Sequence, residues 1–168
     1  TMSVELNVAT AEYLGDSYTF LDCPGAIEFL QEQLDVLPAV DAAIVVCEPD
    51  SAKAAVLRPY LKPLEEAGIP HLLFVNKIET AEAQGHIRQF LESLQQASDW
   101  PLVLRQIPIR RGQAVTGYYD LALERAYVYH DHAPSEVVEL PKDLGDRGAE
   151  ARFAMLEALA DHDDELMT

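Results

Sequence analysis

Two nearly continuous apolar runs, Ala42 to Cys47 and His71 to Val75, constrain the fold most. A strand with one solvated face alternates apolar and polar residues, whereas an unbroken run is expected of a strand covered on both faces, as in a parallel sheet. Parallel neighbours need a crossover between them. The intervening segment supplies one: Ser51 offers an N-cap, Val56, Leu57, Tyr60, Leu61 and Leu64 recur at helical spacing, and Gly68 followed by Pro70 ends the helix. A second helix, from about Thr80 to Ala97, sets Ile87, Phe90, Leu91 and Leu94 on one stripe. This alternation predicts an α/β chain built on a doubly wound sheet. Ahead of it, Val4 to Ala11 and Tyr18 to Leu21 read as a hairpin turned at Leu14-Gly15-Asp16.

The alternation stops after Trp100-Pro101. Leu102 to Ile109, Ala114 to Tyr119 and Leu123 to His130 read as successive strands, with turns at Arg111-Gly112 and near Asp120. Asp143 to Met167 returns to helix, with Phe153, Met155, Leu156, Leu159 and Ala160 as its apolar face. Residues 1–100 therefore form an α/β core and 101–168 a small β-then-α subdomain attached to it. A chain of 168 residues that is 49% hydrophobic has enough apolar material for that arrangement.

Acidic residues outnumber basic ones 29 to 12, a formal charge of −17, so direct binding to nucleic-acid phosphates is not expected. The two cysteines, Cys23 and Cys47, lack metal or redox spacing and fit free thiols in a reducing compartment. No apolar run approaches the ~20 residues that span a bilayer, and no signal peptide is evident, so the expected location is cytoplasmic with no membrane partner.

Two stretches carry the chemistry. Tyr18 to Gly25 reads as a buried strand that ends in Asp22 and a sharp Pro24-Gly25 turn. In a doubly wound sheet ligands sit beyond the carboxyl ends of the strands, where the Asp22 carboxylate can hold a magnesium-bound water and the Gly25 amide can approach a terminal phosphate. Asn76-Lys77-Ile78-Glu79 follows the second buried run. There an amide can meet the N7 and O6 side of guanine, a lysine stem can cover the ring face, and a carboxylate can accept from N1 and N2.

With these motifs in this order, the sequence resembles the elongation factor G family of translational GTPases, which carries DTPGHVDF and NKMD where this chain has DCPGAIEF and NKIE. Further matches are Val40 to Val46, Ala67-Gly68-Ile69-Pro70, Gln106-Ile107-Pro108-Ile109, Gly117-Tyr118-Tyr119-Asp120-Leu121 and Asp163-Asp164-Glu165-Leu166-Met167. The resemblance covers essentially the whole chain and implies a partial P-loop GTPase-type sheet with the inserted G-prime subdomain over 101–168. It implies GTP or GDP and magnesium as ligands of the longer protein. Asp22 would hold magnesium through water, Gly25 would sense the γ-phosphate, and Asn76, Lys77 and Glu79 would read guanine. Met2-Ser3-Val4 matches the family's Ile-Thr-Ile, so Ser3 would be a second magnesium ligand. The implied partners are the ribosome and a ribosomal stalk protein, and the implied role is translation elongation or ribosome recycling.

Three departures bear on that reading. Ala26 stands where the family has the histidine that orients the attacking water, and a methyl group cannot take that role. Glu79 replaces aspartate and moves the carboxylate by one methylene. Nothing in the chain matches the phosphate loop GxxxxGK[ST]. A degenerate, non-hydrolysing module that docks the stalk protein is thus the alternative to a working GTPase. Elsewhere, His130 and His132 are expected to share a strand face, Asp161 to Glu165 forms an acidic helix end, and Arg105, Arg110 and Arg111 form a small basic group suited to internal ion pairs.

Overall fold

The computed structural model describes residues 5–79, 81–112 and 114–161, with the backbone alone for 81–88 and 143. Strands β1 (Asn7–Tyr13) and β2 (Asp16–Asp22) form the expected hairpin, antiparallel from Tyr13 opposite Asp16 to Asn7 opposite Asp22. Its two-residue turn holds Leu14 and Gly15 at positive φ (53° and 94°), which matches the twist of the flanking strands. Helix α1 (Leu30–Val36) follows, with 3-10 turns at both ends.

The next unit is strand β3 (Ala43–Cys47), a crossover, and strand β4 (His71–Val75), paired in parallel with Ala43 opposite His71 and Cys47 opposite Val75. The crossover starts as a 3-10 helix, Ser51–Leu57, and continues as helix α2 (Arg58–Glu66). Its cap is Asp50 rather than Ser51: Asp50 is extended and its Oδ1 accepts the Ala52 N–H at 3.0 Å. Pro59 sits in the first turn of α2, where an N–H has no ladder partner, and Pro63 withdraws one from the helix interior. The chain leaves α2 at Gly68, where φ is 68°. Helix α3 (Ala81–Ala97) returns across the pair, and Phe90 and Leu94 bury with Cys47 and Ala54 against Leu73 and Val75.

Coverage of both faces is not what these strands have. Their side chains alternate, and Ile44 (59% exposed), Val46 (60%), Leu72 (50%) and Phe74 (53%) line an open face. The strand before Asp22 is likewise exposed rather than buried, with Tyr18 and Phe20 about half accessible. The reason is the same for both: among the described residues β1–β2 and β3–β4 are separate two-stranded sheets, and no layer lies on their outer faces. An apolar run marks a face that needs covering; it does not say that the same stretch of chain provides the cover.

The remainder is a four-stranded antiparallel meander: β5 (Gln106–Arg111), β6 (Ala114–Asp120), β7 (Arg125–His130) and β8 (Ala133–Val138). Three strands were expected; β8 escapes the sequence reading because Pro134, Ser135 and Glu136 break the β pattern, which an edge strand tolerates. Helix α4 (Gly145–Ala160) packs on one face through Gly148, Ala151 and Met155, against Ile107, Ile109, Tyr119 and Leu121. Of the predicted face Met155 is buried, but Phe153 is 68% exposed and Leu156 and Leu159 are also exposed. Gly148 belongs to the packed stripe because a Cβ there would lie 3.0 Å from the Tyr119 ring.

Asp120 closes the turn between β6 and β7. Only 4% exposed, it accepts from Arg105 Nε (3.1 Å) and Nη2 (3.1 Å) and from the Ala122 (3.0 Å) and Leu123 (2.9 Å) N–H groups. Burial pushes its carboxyl up, but the Leu123 N–H and the Arg105 guanidinium outweigh burial and hold it below the usual value. A lowered carboxyl stabilises the fold fully above its unfolded pKa, about 3.9, and that contribution is lost as pH falls through the folded value. Asp120→Asn is therefore expected to cost about 1–3 kcal/mol at neutral pH. In thermal melts, the gap between wild type and variant should close as pH drops below about 4.

Candidate functional site

Both sequence motifs lie at carboxyl ends of strands, Asp22 at the end of β2 and Asn76 directly after β4. The Asp22 side is an exposed turn over a buried anchor. Pro24 is fully buried and its carbonyl accepts from Gln33 Nε2 of α1, while Tyr60 of α2 donates its hydroxyl to the Gly25 carbonyl at 3.2 Å. Ala26 is half-buried, and its carbonyl accepts the Phe29 N–H (2.9 Å) to start the next turn. Around Gly25 a Cβ would meet nothing within 4 Å, and its φ is not in the left-handed region. Among the described residues no neighbour requires glycine there.

At the second motif the backbone makes a constrained turn. The Asn76 N–H donates to the Cys47 carbonyl at 2.8 Å, continuing the parallel ladder one step past β4. Lys77 then sits at φ 55°, a left-handed conformation that costs a side-chain-bearing residue about 1–2 kcal/mol. Its N–H donates to Asn76 Oδ1 at 2.9 Å, and its ammonium pairs with Glu48, which also pairs with Lys53 at 3.2 Å. The hydrogen bond from Lys77 holds the Glu48 carboxyl below its usual value, with Lys53 adding to the effect. From the other side, Arg110 of β5 donates to the Ile78 carbonyl at 2.6 Å. A shallow groove is lined by Asn76, Lys77 and Glu79 together with Val115 and Tyr129.

This arrangement suits a planar ligand rich in acceptors. Because Asn76 gives its carbonyl oxygen to Lys77, its amide keeps two donors. The Asp22 end offers one exposed carboxylate, which fits an ion that keeps most of its own waters, as magnesium does, rather than a fully protein-ligated metal. Among the described residues no cluster of three His, Cys, Asp or Glu side chains forms a metal site. Ser3 lies outside the described residues, as do His162 to Glu165 of the acidic end.

A family model described as the elongation factor Tu GTP binding domain matches residues 1–161. The chain belongs to that family. An elongation factor G-like protein from Synechocystis sp. (strain ATCC 27184 / PCC 6803 / Kazusa) is 42% identical over 166 residues, covering 99% of this chain and 24% of that protein. Elongation factor G 1 of Borrelia garinii subsp. bavariensis is 32% identical over 149 residues, covering 88% of this chain and 21% of that protein. A crystal structure of a Thermus thermophilus protein superposes with a TM-score of 0.82 at 26% identity, over 99% of this chain and 24% of the other. The chain thus spans about a quarter of the length of the relatives it matches. Its fold is that of a partial P-loop GTPase-type sheet, mixed α/β as the sequence predicts.

Other candidates resolve differently. His130 and His132 do not share a strand face: His130 ends β7 and pairs with Glu136 at 3.0 Å, while His132 sits in the turn at φ 56°. Arg105 makes the expected internal ion pair with Asp120, but Arg110 bonds a backbone carbonyl instead. Burial first, and then Asp22 and Glu32, push the Cys23 thiol up, away from a reactive thiolate. Among the described residues no helix is long and apolar enough to cross a membrane. Sequence reasoning missed Glu48 and Tyr60, the latter counted only as part of a helical stripe; a carboxylate directly after β3 was the one available signal.

Gly25→Ala is expected to change stability by no more than about 0.5 kcal/mol, as at other unstrained open positions. A melting shift larger than a few degrees would mean that the Gly25 backbone, not a ligand, requires the glycine.

Proposed function

We propose that the chain is part of an elongation factor G-like GTPase, with residues 1–100 contributing to the nucleotide-binding domain and 101–168 forming the inserted subdomain. In this reading Asn76, Lys77 and Glu79 read guanine, Gly25 meets the γ-phosphate, and Asp22, with Ser3, supports magnesium. The protein acts in the cytoplasm on the ribosome, in elongation or recycling. The observation that carries the reading is the Asn76 turn: the amide's acceptor is already used within the chain, and its donors match the N7 and O6 acceptors of guanine. The phosphate loop, a strand, GxxxxGK[ST] and a helix, is not in this sequence, and most phosphate-binding energy resides in such a loop. This stretch by itself therefore binds guanine nucleotides weakly.

The test is competition of labelled GDP against GTP, ATP and XTP on the intact protein. Asn76→Ala is expected to weaken GDP at least about ten-fold by leaving base acceptors unpaired. Glu79→Asp should tighten it, since a shorter carboxylate has fewer rotamers to freeze. Unchanged affinity in both variants would remove the guanine-reading role.

Ala26 favours a second reading, a non-hydrolysing module whose inserted subdomain docks the stalk protein. If Ala26 is what limits hydrolysis, Ala26→His should raise the single-turnover rate on ribosomes by restoring a water-orienting group. A variant that binds GTP normally and gains no rate would show that another residue positions the water, or that the protein does not use hydrolysis.

A further inference from the structure

We propose that Arg110, a residue of the antiparallel meander, is a positioning residue for base recognition: it fixes the plane of the Ile78–Glu79 peptide and thereby the direction in which the Glu79 carboxylate leaves the backbone. The inference rests on the guanine-reading role proposed for Asn76 to Glu79.

Lys77 holds a left-handed backbone that persists only when its surroundings over-determine it. Upstream supports come from the core: the Cys47 carbonyl on the Asn76 N–H, the Asn76 side chain on the Lys77 N–H, and Glu48 on the Lys77 ammonium. Each of these acts at or before Lys77. Downstream of it, the Ile78 carbonyl receives the Arg110 Nη2 donor at 2.6 Å, a charge-assisted hydrogen bond. That carbonyl belongs to the peptide joining Ile78 to Glu79, so fixing it restricts Glu79 more than Asn76.

A second observation is independent of that bond. The register of β5 against β6 shifts by one between Ile109 and Arg110, from Ile109 opposite Gly117 to Arg110 opposite Val115. Such irregularities bend a strand and re-aim a side chain, and they recur beside functional sites. Here the extra residue is Thr116 of β6, so β6 bends where it faces Arg110, the residue that reaches across to the turn. Arg110 is half-buried, and among the described residues its Nη1 is buried with no hydrogen-bond partner. Leaving a guanidinium nitrogen in that state is costly, so the residue is not explained by local stability alone. The inserted sheet then becomes one wall of the base site.

The test compares GDP with inosine diphosphate, which lacks the 2-amino group offered to Glu79, on the intact protein. Arg110→Ala is expected to weaken GDP about ten-fold and inosine diphosphate much less, so that the preference for GDP shrinks. Arg110→Met, which keeps an apolar stem in place and removes the donors, should behave the same way if the alanine variant does not fold. Arg110→Lys, which restores a donor, should recover part of the preference. A purely structural role would lower both affinities equally, and an unchanged preference in Arg110→Met overturns the proposal. Asn76→Ala separates the two levels. If it weakens GDP while Arg110→Met leaves the preference intact, the Arg110 role alone is wrong; if Asn76→Ala is silent, base reading fails and the Arg110 role falls with it.

Discussion

The parallel pairing of β3 with β4 is the constraint on which the rest of the structure depends. Because Cys47 stands opposite Val75, the two strands end level, and the ladder continues one step into the Asn76 turn. Level ends bring Glu48, directly after β3, against Lys77, two residues past the end of β4. Parallel strands also demand a crossover, and its placement brings Tyr60 to the Gly25 carbonyl, which ties the first motif to the same unit. The positions of both candidate ligand-binding turns therefore follow from one register.

Support for the second turn is shared between two sheets. β3 and β4 hold Asn76 and Lys77, while β5 holds Ile78, so neither sheet alone defines where Glu79 begins. A strained turn gripped at several points gives precision without a long loop. It also means that a change in the meander, far from this turn in sequence, is felt where Glu79 begins.

What was legible in the sequence was local. The Leu14-Gly15 turn, the parallel runs and the helical spacing of α3 are set by residues a few positions apart, and each element lies where the sequence places it. Asn76 and Lys77 stand out because their neighbours are an apolar strand and a short motif. What was not legible depended on distant contacts. Tyr60 meets Gly25 across 35 positions, Lys77 meets Glu48 across 29, and Arg110 meets Ile78 across 32. The open faces at Ile44 and Phe74 were missed for a related reason: composition reports that a side chain avoids water, and only packing reports what shields it. β8 was hidden because Pro134 is penalised in a central strand but tolerated at an edge.

The contrast between Asp120 and Glu48 means that dissolved salt acts unequally on the molecule. Asp120 has a side chain 6% exposed and leans on backbone N–H groups as well as on Arg105, so counter-ions have little access to it. Glu48 and Lys77 are 41% and 56% exposed, and their attraction is screened within about 10 Å at 0.1 M ionic strength. The mutual repulsion of a chain with net charge −17 weakens in the same salt. Raising ionic strength thus tightens the chain as a whole and leaves the meander's anchor intact, while it loosens the one turn that carries Asn76, Lys77 and Glu79.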